Sequence, residues 1–180
     1  MSGVATRELT LAALFTALIA ASAYVSIPVG PVPFTLQVAF VLLAGLTLGP
    51  RLAALAIVAY LCLGLIAPVF AGGTSGISVL LGPTAGYLWG FLPAAVLAGW
   101  LGGSRASLPG LVLACLAGLI PLYLLGASWL AAQQHLSPSV AVTIGVLQFL
   151  PLDVAKAAAA GLAARSLVSL PLGLPGLQGR

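Results

Sequence analysis

Long apolar runs follow one another from end to end of this chain, each broken only by a Gly-Pro pair, a Pro-rich turn or an isolated arginine. Six segments result, at roughly 8–27, 35–48, 51–68, 84–102, 108–132 and 139–168. A helix needs about twenty apolar residues to cross a bilayer. Backbone facing lipid must also satisfy its own hydrogen bonds, which selects helices over irregular chain. The expectation is an all-α membrane protein, a six-transmembrane-helix bundle. Segment 35–48 is too short for a full span, so it is expected to be tilted, irregular or preceded by a buried loop.

Composition excludes the soluble alternative, because 62% hydrophobic and 4% charged residues leave too little polar surface to coat a globule in water. No charge run or polar linker divides the chain, so residues 1–180 read as one integral-membrane domain. The net charge of +4 is dispersed over the length and makes no basic patch, which argues against a nucleic-acid partner and leaves the lipid bilayer as the surroundings. Cys62 and Cys115 each lie within an apolar run, with no CxxC or Cys/His cluster. They read as buried bystander thiols, and no metal site is expected. The start MSGVATRE could mimic a signal peptide, but five further apolar segments and no convincing cleavage site favour a first membrane helix.

Arg7, Arg51, Arg105, Arg165 and Arg180 all fall on one side of the six-span scheme, whereas the connections around 28–35, 69–83 and 133–138 hold no Lys or Arg. The positive-inside rule then puts both termini in the cytoplasm of a bacterial-type cell membrane, with those three connections facing outward. Among them, PVFAGGTSGISVLLGPTAGY (Pro68 to Tyr87) has five glycines, too many for an ordinary helix, yet it is too apolar for a solvated linker. A Gly-rich outer loop between helices 3 and 4 is expected, packed in protein or lining a cavity. Pro93, Pro121 and Pro151 lie inside spans and are expected to kink them, with Pro151 freeing the Leu147 carbonyl.

Against this background Asp153 and Lys156 stand out, as the charges that cannot reach a membrane boundary. Charges inside a membrane carry a large desolvation cost and by default mark a ligand or transport site. Three residues apart, they share one helix face and can pair with each other and with a ligand. Asp153 lies twelve residues before Arg165, about 18 Å along a helix, past the mid-plane toward the outer face. Gln37, after Thr35 at the base of the first outward loop, offers an amide either to a polar head group or to the backbone of the Pro-rich turn. Tyr87, beside the Gly-rich stretch, is a candidate for stacking on or hydrogen-bonding to a ligand; Trp89 reads as an interfacial aromatic. His135 reads as an exposed loop residue. Ala13, Ala17 and Ala21 recur every fourth residue on one face of the first helix, a spacing that lets another helix approach closely.

Enzyme signatures are missing: there is no HExxH, P-loop, GxSxG or paired intramembrane carboxylates. The chain has no ATPase site of its own, no cofactor is expected, and transport must be energised by a partner or an ion gradient. No internal repeat supports an inverted-repeat transporter.

The ordered series VPFTLQ (Val32 to Gln37), LAGLTLGPR (Leu43 to Arg51), PVFAGG (Pro68 to Gly73), GPTAGYLWGF (Gly82 to Phe91) and PLDVAK (Pro151 to Lys156) resembles the BioY family over nearly the whole chain. The resemblance implies the biotin-binding S component of an energy-coupling factor transporter, an ABC-type system. Its partners would be a transmembrane T component and two ATPase subunits. It implies ligand contact from Asp153 and Lys156 and a docking face at Ala13, Ala17 and Ala21; Gln37 and Tyr87, read from their own chemistry, and Thr74 of the Gly-rich loop complete the expected ligand-binding set. Two positions depart from the family pattern: Ala85 replaces an expected glycine, and Thr74 and Ser75 are short where some members carry a longer polar residue. The loop is therefore expected to act as a lid more than through Thr74 itself. Two other readings compete: a solitary biotin permease driven by an ion gradient, and a structural membrane protein whose ion pair fixes helix packing.

Overall fold

The computed structural model describes residues 6–102, 107–170 and 173–177. Helix α1 (Thr6–Ser22) stops short of the expected residue 27, because a hairpin takes over. Its strands β1 (Ser26–Val29) and β2 (Val32–Thr35) pair antiparallel, with Ile27 opposite Phe34 and Val29 opposite Val32. The two-residue turn opens on Gly30 at φ 63°, the position where a Gly-first hairpin needs a positive φ, and Pro31 supplies the fixed negative φ that follows. A strand in place of the expected loop follows from local composition: Pro28 and Pro33 cannot continue a helix, and Ile27, Val29, Val32, Phe34 and Thr35 are β-branched or aromatic.

The expected second and third spans fall in one helical element, α2 (Gln37–Gly64), broken where Gly49 adopts φ 78° and ψ 171°. That conformation is open to glycine, and Pro50 has no N–H to carry a helical bond across the break. The break is also a packing point. A methyl at Gly99 would come within 2.9 Å of Pro50 N, and the Gly176 N–H donates to the Thr47 carbonyl at 2.9 Å.

Between α2 and α4 (Ala85–Leu101) the chain forms a 3-10 turn, Ala71–Gly73, and the short α3 (Ile77–Leu81). Phe70 anchors this segment: fully buried, it sits over Gly64 and meets the Tyr60 ring edge-on, with centroids 5.6 Å apart. Gly72 and Gly73, at φ 69° and 73°, let the chain curl back so that Phe70 N bonds the Thr74 carbonyl at 3.0 Å. Tyr24, just past α1, donates its hydroxyl to the Pro68 carbonyl at 2.6 Å and ties the hairpin end of α1 to the same segment. Ala85 is buried in the first turn of α4, so its methyl is accommodated.

Helix α5 (Leu108–Gln134) starts at Ser107, whose hydroxyl accepts from Gly110 N, and ends at His135 in the left-handed conformation, which is exposed as expected. The chain continues through α6 (Pro138–Val142), a wide π turn (Thr143–Leu147) and α7 (Leu150–Val168). The last two helical stretches meet at 43°. Here the proline expectation needs correction. Pro93 and Pro121 do lie inside α4 and α5, but Pro151 stands in the first turn of α7, where a missing N–H is tolerated. The bend in the last span comes from the π turn and the two residues after it.

Helices α2 and α5 are each long and apolar enough to cross a membrane, and the bent α6–α7 pair would make a third span. The surface agrees: Leu113, Leu124, Trp100 and Ile120 are each 59% or more exposed, while Asp153 and Lys156 are buried. Charges sheltered inside a bundle whose exterior exposes many large apolar side chains are the arrangement of a protein solvated by lipid, and the chain is a multi-pass membrane protein. One expectation fails at Cys62, which is exposed on the outward side of α2; Cys115 is buried as expected. A thiol is apolar enough for either position.

Arg7 packs against the end of α7 and the segment 173–177, beside the α2 break that carries Arg51, and Arg165 lies in the last turn of α7. These three cations therefore gather at one end of the bundle, as the spacing implied. Arg105 and Arg180 lie outside the described residues. On α1, Phe15, Thr16 and Ile19 turn inward, with Thr16 Oγ1 donating to the Ala56 carbonyl at 3.0 Å, whereas Ala13, Ala17 and Ala21 are exposed on the opposite face.

Candidate ligand-binding site

Helix α7 starts afresh after the π turn, and this fixes where its charges point. Asp153 lies in the first turn, where the positive end of the helix dipole favours a carboxylate, and Lys156 follows three residues later on the same face. Lys156 Nζ donates to Asp153 Oδ1 at 2.7 Å, and both side chains are over nine-tenths buried. The second carboxylate oxygen, Oδ2, accepts the Tyr123 hydroxyl of α5 at 2.7 Å. Lys156 Nζ also donates to the Thr35 carbonyl at 2.6 Å and lies 3.7 Å from the centroid of the Phe34 ring. Each charge thus has more than its opposite as partner, as burial requires. Among the described residues no buried side-chain nitrogen or oxygen lacks a hydrogen bond.

These groups line a cavity enclosing about 750 Å³ of atom-free space, its open mouth included. Strand β2 supplies Val32, Pro33, Phe34 and Thr35; the curled segment supplies Phe70, Ala71 and Thr74. Helix α4 contributes Tyr87, Leu88 and Phe91, α5 contributes Leu122 and Tyr123, and Phe149 with Asp153 and Lys156 closes the wall. The lining is mostly apolar and aromatic, with a few convergent polar groups, which is the usual make-up of a small-molecule site.

All five residues singled out for ligand contact, Gln37, Thr74, Tyr87, Asp153 and Lys156, reach this one cavity, though their polar groups are not equally available. Gln37 is 2% exposed; it accepts from Thr35 Oγ1 at 3.1 Å and donates to the Tyr60 hydroxyl at 2.5 Å. Its amide therefore knits the base of the hairpin to the second half of α2. The Tyr87 hydroxyl donates to the Gly145 carbonyl at 2.8 Å, so α4 holds the π turn, and the residue also lines the cavity. Thr74 Oγ1 donates to the Ala71 carbonyl at 3.1 Å within its own loop. Trp89 donates to the Leu80 carbonyl at 3.1 Å from an exposed position.

Sequence reasoning missed Tyr123, Phe34 and the Thr35 carbonyl. Tyr123 carried a partial signal: a tyrosine well inside an apolar span needs a partner for its hydroxyl, and packing alone chose Asp153. Phe34 and the Thr35 carbonyl carried none, since their role depends on a hairpin that brings residue 35 beside residue 156. Among the described residues no group of three or more His, Cys, Asp or Glu could hold a metal ion.

The model of the BioY family matches residues 1–171 of the chain. A probable biotin transporter BioY from Pyrococcus horikoshii is 45% identical over 162 residues, covering 89% of this chain and 96% of its own length. The biotin transporter BioY of Thermotoga maritima is 41% identical over 165 residues, 91% of this chain and 97% of its own. The crystal structure of the S-component for biotin from an ECF-type ABC transporter superposes with a TM-score of 0.84 at 30% identity, covering 92% of this chain and 94% of that one.

Proposed function

The chain belongs to the BioY family, and from that membership we propose that it captures biotin as the substrate-binding S component of an energy-coupling factor transporter. The observation that carries this reading is the Asp153–Lys156 pair, buried against Tyr123 and β2 at the wall of an apolar cavity. Biotin has an apolar bicycle and aliphatic tail, a ureido group with two donors and one acceptor, and a carboxylate. Asp153 retains lone pairs beyond those engaged by Lys156 and Tyr123, and these accept from ureido N–H groups. Lys156 donates to a ligand oxygen and balances the aspartate, so few polar atoms are left unpaired in the complex. The ring of Tyr87 and the Gln37 amide shape the wall, and the loop carrying Thr74 covers the ligand as a lid.

The wider reading is a six-span bundle in the cell membrane. Counting the halves of α2 on either side of Gly49 separately gives spans at α1, the two halves of α2, α4, α5 and the bent α6–α7 pair. Both termini face the cytoplasm, where Arg7, Arg51 and Arg165 gather, and the cavity loads from outside. Energy comes from a separate module, a transmembrane T component with two ATPases, docking on the exposed Ala13, Ala17 and Ala21 face. The relatives' names as transporters accord with a subunit that performs no chemistry of its own.

Calorimetry of the purified protein with biotin, thiamine and riboflavin tests the assignment. Binding of biotin alone is expected, and it should disappear in Asp153→Asn while thermal unfolding stays cooperative. A folded Asp153→Asn protein with unchanged biotin affinity would remove the pair from the site.

A further inference from the structure

We propose that Tyr123 is a specificity-determining positioning residue, which acts through Asp153 to set the site for a neutral ureido ligand over a cationic one. The inference rests on reading the cavity as the biotin site. An ionised carboxylate accepts through two oxygens and about four lone-pair positions. In this structure Oδ1 is held by Lys156 Nζ at 2.7 Å and Oδ2 by the Tyr123 hydroxyl at 2.7 Å. The two donors come from different helices, α7 and α5, and hold the carboxylate from both sides. What remains for a ligand is a fixed acceptor edge with part of its charge already satisfied. A hydrogen bond to a charged group is stronger than one between neutral groups and strengthens further in a low-dielectric site. The phenol therefore weakens the pull of Asp153 on any cation that enters, at little cost to a neutral N–H donor aligned with the open lone pairs.

Position as well as charge limits the tyrosine to this role. Tyr123 borders the ligand cavity and also a second, apolar groove bounded by Ala127, Ala141 and Val146. The side chain is thus a partition between the two spaces, with its one polar atom committed to Asp153. Phenylalanine keeps the partition and removes only the hydroxyl.

The test compares the full chain with Tyr123→Phe in calorimetric titrations with biotin and with 2-iminobiotin, the analogue whose ureido oxygen is replaced by nitrogen to give a cationic guanidinium near neutral pH. Loss of the hydroxyl is expected to weaken biotin about tenfold. The analogue should lose less, so that the preference for biotin narrows by at least about threefold. Equal weakening of both ligands, or no change in either, would overturn the proposal. A thermal-unfolding double-mutant cycle with Asp153→Asn gives a reading that needs no ligand. The hydroxyl should stabilise the fold more when Asp153 is present than when it is Asn, whose side-chain oxygen is an uncharged acceptor; an equal contribution in both backgrounds also overturns the proposal. If Asp153→Asn binds biotin normally, the site assignment itself fails, whatever Tyr123 does.

Discussion

Lys156 reaches back 121 residues to donate its ammonium to the backbone carbonyl of Thr35 at 2.6 Å. One bond thus joins the end of the hairpin to the helix carrying both buried charges, so hairpin and ion pair form a single unit at the cavity wall. A backbone acceptor cannot be removed by changing the Thr35 side chain, and any movement of β2 over the cavity is felt directly at Lys156.

Lys156→Met should therefore do more than weaken an electrostatic contact. It strips Asp153 Oδ1 of its donor and leaves a buried carboxylate held by Tyr123, a change that costs about 3–5 kcal/mol when a buried pair is broken. A lower midpoint in thermal unfolding is expected, together with loss of measurable biotin binding by calorimetry. The double variant Asp153→Asn, Lys156→Met should recover much of the stability but none of the binding, because both charges are then absent.

Tyr87→Phe separates a direct ligand bond from a wall contact. Its hydroxyl is engaged by Gly145, so biotin affinity should fall by less than about tenfold, the loss of one indirectly acting hydrogen bond. Amide exchange in the π turn, residues 143–147, should quicken at the same time. A hundredfold loss of affinity without faster exchange would instead mean that the hydroxyl turns to the ligand.

Gly49→Ala tests the break in α2. A side chain at φ 78° and ψ 171°, a region kept almost entirely for glycine, carries strain of about 1–3 kcal/mol, while the added methyl itself would find Gly176 Cα at an ordinary 3.6 Å. Stability should drop by that amount with biotin affinity unchanged, since the break lies at the arginine end of the bundle, away from the cavity.

Ala17→Leu enlarges an exposed position on α1, opposite the buried Thr16 and Ile19 face. Biotin binding by the isolated protein is expected to persist, while co-purification with a T component and its ATPases is lost. Retained assembly would exclude this face as the docking surface.

Much of the fold was legible in the sequence because a bilayer imposes so few options. Apolar segments of given length must become helices, and the spacing of Arg7, Arg51 and Arg165 relative to those segments is enough to put them at one end. Asp153 and Lys156 were legible for a related reason: a charge with no route to water announces itself, and a three-residue spacing fixes its neighbour. The hairpin was less visible, since Pro-rich sequence at the end of a span reads equally well as a loop. Gln37 and Tyr87 were found as cavity residues, but that their polar groups are held by Tyr60 and Gly145 could not be read from local sequence.

What the sequence determined by itself was thus the solvent of this protein, the segments that become helical and the pair of charges that must be sheltered. All three follow from desolvation and helix periodicity, which act locally along the chain. Only the tertiary structure decided what shelters the pair: Tyr123 from α5, the Thr35 carbonyl and the Phe34 ring from a hairpin more than a hundred residues away. Those partners are chosen by how helices and strand pack in three dimensions, and no spacing in the sequence encodes that contact.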